Sequence, residues 1–68
     1  MRMLKSVMSF KGETQRSLAN KIGISESSLS NKLTGISDFK QTEMQKISTV
    51  LSLSPQQYYD IFFNIETY

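Results

Sequence analysis

Cysteine and histidine are both absent from this 68-residue chain. Without cysteine there is neither a disulfide to staple a small core nor a thiolate to hold a metal. Without histidine the chain lacks the usual general base and the commonest zinc ligand. No glycine-rich phosphate loop and no paired-carboxylate motif occurs either. The expectation is a protein that is not an enzyme and that carries no metal and no cofactor. Apolar residues come in short runs, far below the ~20 needed to span a membrane, so no membrane association is expected. The basic start, Met1-Arg2-Met3-Leu4-Lys5, has no long apolar segment and no small-residue cleavage site. It does not read as a signal peptide, and the simplest compartment is the cytoplasm.

What is present is charge of uneven distribution. Residues 1–35 hold six basic and two acidic side chains, a net +4, whereas residues 36–68 hold two basic and four acidic, a net −2. A basic half suits a polyanion, and ordinary solvated charge is the alternative. The length allows a single domain, 1–68, which buries only about 60% of its unfolded surface.

The apolar spacing predicts an all-α chain, a compact bundle of four to five short helices, with no period-two segment long enough for a strand. Met3, Leu4, Val7 and Met8 share a face of the first helix, and Lys11-Gly12-Glu13 ends it. Thr14 is expected to cap a second helix that buries Leu18, Ala19 and Ile22, with Gly23 as its left-handed terminator. Ser25 caps a third helix with Leu29 and Leu33 buried, and Gly35 ends it in the same way. Phe39 is expected to anchor the next connection. A fourth helix, Gln41 to Leu51, should bury Met44, Ile47 and Leu51. Ser54-Pro55-Gln56-Gln57 reads as N-cap, first-turn proline and capping-box glutamine of a fifth. Residues 63–68 read as a frayed tail.

The stretch TQRSLANKIGISESSLSNKLTG joins two short helices at a glycine, a unit able to place its second helix in a DNA major groove. Leu18, Ala19, Gly23, Ile24, Leu29 and Leu33 form the core of the motif, with Gly23 taking the turn. Ala19 lets the helices cross closely, Ile24 fills their angle, and Leu29 locks the second onto the first. A helical hairpin serving only as scaffold is the alternative. If Leu29 and Leu33 mark the buried side of the third helix, Asn31, Ser27 and Thr34 lie roughly 120° to 180° round from it. Ser28 and Ser30 flank that direction, and Glu26 occupies the first turn. Asn31 can pair bidentately with adenine, serine hydroxyls can donate or accept, and Glu26 can accept from cytosine N4.

With SESSLSNKLTG, FKQTEMQKIS and LSLSPQQYYDIFF, the chain resembles the lambda-repressor-like (Xre, or Cro/CI) helix-turn-helix family from Leu4 to Phe63. It looks especially like short regulators from phages of Gram-positive hosts. The resemblance implies a five-helix fold, a dimer on a pseudo-palindromic double-stranded DNA operator, and control of prophage genes. It implies base reading from the positions of Glu26, Ser27 and Asn31, with Ser28 beside them. Gln15 matches the family's phosphate-touching glutamine, and Ser25 offers a helix N-terminus to a phosphate. Arg16, Lys32 and Lys40 are the cationic candidates for phosphate, with solvated surface charge as the alternative for the lysines.

Glu26 departs from the neutral or basic residues usual at its position, and Lys40 replaces the usual threonine cap, although lysine cannot accept a hydrogen bond. Five of seven aromatic residues fall in the last eleven positions. A fifth helix closing the core accounts for Tyr58 or Tyr59 and Phe62, but one small monomer cannot bury both faces of that helix, so Tyr58, Tyr59, Phe62 and Phe63 are the candidate partner interface. A homodimer or a phage repressor protein could occupy it. The second of these makes the chain an anti-repressor or modulator.

Overall fold

The computed structural model describes residues 2–63, folded as five α-helices: α1 Arg2–Phe10, α2 Gln15–Ile22, α3 Glu26–Leu33, α4 Gln41–Leu51 and α5 Pro55–Phe62. Among the described residues there is no strand, and no helix is long and apolar enough to cross a membrane. Phe63, the first residue of the expected tail, caps the end of α5 with its N–H on Tyr59 O at 2.8 Å, and the rest of that tail lies outside the described residues.

Local chemistry sets the helix boundaries. Thr14 Oγ1 accepts the Ser17 N–H at 3.0 Å, and Ser17 Oγ accepts the Thr14 N–H at 2.9 Å. Ser54 and Gln57 repeat this reciprocal arrangement at the start of α5, at 3.1 and 3.0 Å. Each pair satisfies a helix-start donor that has no partner within the helix. Gly23, at φ 82 and ψ 28, ends α2 in the left-handed region. The N–H groups of Gly23 and Ile24 then both reach Ala19 O, at 2.9 and 3.0 Å. Gly35, at φ 89, closes α3 in the same way, with Ile36 N–H donating to Asn31 O at 2.9 Å. Ser52, at φ 53, ends α4 without a glycine.

A Cβ at Gly23 would meet nothing within 4 Å, so the cost of alanine there is purely one of backbone conformation. The left-handed penalty of about 1–2 kcal/mol is partly offset by the entropy lost from the unfolded chain. Gly23→Ala should therefore lower stability by about 1 kcal/mol, seen as a fall of roughly 4–8 °C in the thermal midpoint. An unchanged midpoint would contradict the left-handed turn.

The helices close over a core of Leu4, Met8, Leu18, Ala19, Ile22, Leu29, Leu33, Ile47, Leu51 and Ile61. Helix α2 is central, packing against both α3 and α4. Ile24 and Phe39 pack against this core as expected, and Phe39 meets Phe62 edge-on with ring centroids 5.6 Å apart. Two expected core positions differ. Met3 is exposed, and Met44 is only half-buried, its place at the base of α4 taken by Glu43. Glu43, Ile47 and Leu51 follow one another at four-residue spacing, so the buried stripe of α4 begins with a carboxylate.

Candidate nucleic-acid interface

Helix α3 is held by its own apolar side. Leu29 and Leu33 are almost fully buried, whereas Glu26, Ser27 and Asn31 are exposed. Ser27 and Asn31 stand one turn apart on the outer face, as the spacing predicted. An eight-residue helix is about 12 Å long, a length that fits across a major groove of similar width.

Ser28 departs from the expected reading set. It is half-buried, its N–H donates to Ser25 Oγ at 3.1 Å, and its own Oγ accepts from Ser25 Oγ at 2.9 Å. The serine expected to face a base is thus drawn into the cap of its own helix. Thr34, also on the outer side, turns its hydroxyl back to Ser30 O at 3.0 Å. Glu26 lies in the first turn of α3, where a carboxylate is favourable to the helix dipole.

A surface cleft of about 500 Å³ separates the outer sides of α2 and α3. Arg16 and Asn20 reach it from α2, Glu26 from α3, with Thr14, Ser17, Ala19 and Ile24 at its floor and ends. The structure thus brings Arg16 and Glu26 to one opening. Asn20 went unrecognised in the sequence, although its spacing of four from Arg16 marks the same helix face. Arg16 and Ser25 are exposed and Gln15 is half-buried, around the starts of the two helices.

The two lysines proposed for phosphate behave differently. Lys40 is exposed and precedes α4 without capping it through its side chain. Its ammonium has no lone pair, so only the reverse half of a capping box forms, Lys40 N–H to Glu43 Oε1 at 2.9 Å. Lys32 was expected as a phosphate ligand or a solvated charge, and the structure shows it mostly covered and paired within the protein. Its side chain is 12% exposed, 3.3 Å from Glu43 Oε1 and 3.0 Å from Asp38 O. Both polar partners belong to the protein itself, so the Lys32 ammonium is already engaged. Its position at the flank of the α3 buried stripe, and Glu43 in step with Ile47, were the available sequence signals.

Two carboxylates titrate below their ordinary value. Burial raises the pKa of Glu43, but the Lys40 N–H and the Lys32 ammonium together outweigh it and leave it lowered. For Glu13 the Lys21 ammonium is the main cause, followed by the Ser17 hydroxyl, which donates to it at 2.5 Å. A folded-state pKa below the unfolded one contributes stability that is present above the free-glutamate value of about 4.3 and is lost as pH falls through the lowered value. The thermal midpoint should accordingly fall between about pH 5 and pH 3, and fall less in Glu43→Gln. An equal fall in both proteins would remove Glu43 as a cause.

Of the four aromatic candidates, Phe62 and Tyr58 are half-buried, and Phe62 is packed between Phe39 and Tyr58 with centroids at 5.6 and 5.3 Å. Phe62 therefore closes the core, the alternative expected for it, rather than lining an interface. Tyr59 and Phe63 remain outward, 59% and 46% exposed. They border a groove of about 660 Å³ between α4 and α5 whose lining, including Gln45, Leu53 and Tyr58, holds no charged residue.

Residues 2–65 match a family described as a protein of unknown function (DUF739). No curated protein and no solved structure matches the chain.

Proposed function

We propose that this chain, which belongs to the DUF739 family, is a sequence-specific double-stranded DNA-binding regulator of Cro/CI type that acts on prophage genes in the cytoplasm. The observation that carries this reading is the outer face of α3. Glu26, Ser27 and Asn31 stand exposed on a helix whose opposite side is fixed to α2 by Leu29 and Leu33. That is the geometry by which a second helix enters a major groove and presents side chains to base edges. Arg16 and Lys40 supply exposed cations, and Gln15 and Ser25 supply helix starts, which favour phosphate oxygens. The work required of these residues is recognition alone, with no chemical step. Two copies would read a pseudo-palindromic operator.

A binding-site selection on random duplexes tests the proposal. Recovery of one palindromic site by the protein alone, with affinity falling steeply as salt rises, supports it. Recovery of no preferred sequence would sink it. The uncharged α4–α5 groove with exposed Tyr59 and Phe63 favours a second reading, a modulator that grips a phage repressor protein. In that case the chain would shift no operator alone and would co-purify with the repressor.

A further inference from the structure

The Glu43 carboxylate stands where three segments meet. Its Oε1 accepts the Lys40 N–H at 2.9 Å from the start of α4, and it pairs with Lys32 Nζ, 3.3 Å away, from the last turn of α3. The same ammonium donates to Asp38 O at 3.0 Å in the intervening connection. Both side chains are nearly buried, at 12% and 11% exposure. A buried ion pair is often no more stabilising than apolar groups of the same volume, but it accepts few alternative partners and directions. Helix α3 has only eight residues, and its two buried side chains, Leu29 and Leu33, lie along one stripe, which fixes its position more firmly than its rotation about that line. The Lys32–Glu43 contact is a second anchor, off that line, one residue beyond Asn31.

We infer that the Lys32–Glu43 pair is a positioning device for the reading helix, so that Lys32 acts on recognition through the placement of Asn31 and Ser27 and not through a phosphate. This rests on the base-reading role proposed for α3. Base contacts demand side chains held to within about 0.5 Å and 10–20°. A helix that rolls on its apolar stripe would lose that precision while keeping its charge. Sequence discrimination and electrostatic affinity should therefore separate when the pair is broken.

The test compares Lys32→Met, Lys32→Arg and Glu43→Gln, the last keeping an acceptor for the Lys40 N–H. Affinities for the selected operator and for a random duplex are measured across a salt series. Lys32→Met and Glu43→Gln should each cut the operator-to-random ratio by about fivefold or more, with the slope of log affinity against log salt unchanged. Lys32→Arg should restore most of the ratio. A slope lowered by about 0.9 with the ratio intact would make Lys32 a phosphate ligand and overturn the inference. A lower thermal midpoint with ratio and slope both unchanged would make the pair purely structural, and would overturn it too. Should Lys32→Met fail to fold, Glu43→Gln carries the same comparison.

If the wild-type chain selects no duplex, the DNA reading itself fails, and the positioning role is judged on the free protein. Backbone amide resonances of residues 26–31 should then move in Lys32→Met and Glu43→Gln but not in Lys32→Arg. Changes confined to residues 32–43 would overturn it.

Discussion

Replacing Leu29 by alanine should lower stability by about 2–5 kcal/mol, the loss expected when a fully buried leucine leaves a cavity. Leu29 has no exposed surface and joins α3 to the rest of the core. A domain of this size has roughly 3–10 kcal/mol in total, so the loss removes a fifth of it or more. Chemical denaturation followed by circular dichroism measures the effect. Leu29→Met, which conserves volume, should cost under about 1.5 kcal/mol. Ile36→Ser, just beyond the same helix and 75% exposed, should stay within about 0.5 kcal/mol. A loss below about 1 kcal/mol for Leu29→Ala would mean that α3 is not packed through this residue.

Asn31→Ala should leave the fold intact, because the side chain is exposed, and should damage recognition instead. A bidentate amide contact to adenine discriminates by about 1–3 kcal/mol, which is roughly 5- to 150-fold in each half-site. Preference for one base pair should relax while affinity for random duplex stays unchanged. Arg16→Ala should do the reverse, weakening binding to all sequences alike and lowering the salt slope by about 0.9. Competition titrations with duplexes altered at single positions separate the two. If Asn31→Ala retained every base preference, the reading face would have to be assigned to another surface.

Ser28 illustrates why a helical wheel identifies a face better than it identifies ligands. Its angular position allowed a base contact, yet its hydroxyl is engaged by that of Ser25, three residues earlier. Lys32 shows the same limit over a longer range. Both its partners lie beyond its own helix, at positions whose proximity depends on how the connection folds back. Glu43 replaced the expected Met44 because a charge at the stripe of α4 becomes tolerable once Lys32 and the Lys40 N–H surround it.

The helix ends and the apolar stripes were determined by the sequence itself. Thr14, Ser25 and Ser54 as caps, Gly23 and Gly35 as terminators, and Leu18, Ala19, Ile22, Leu29 and Leu33 as buried sides all follow from helix periodicity and the needs of helix ends. Tertiary structure alone decided which side chains of different helices meet. It took Lys32 inward to Glu43, and it packed Phe62 under Phe39 while leaving Tyr59 and Phe63 outside. The physical reason is that a charge or an aromatic ring is satisfied by whichever partner the packing of distant helices brings within reach, and local spacing carries no record of that partner.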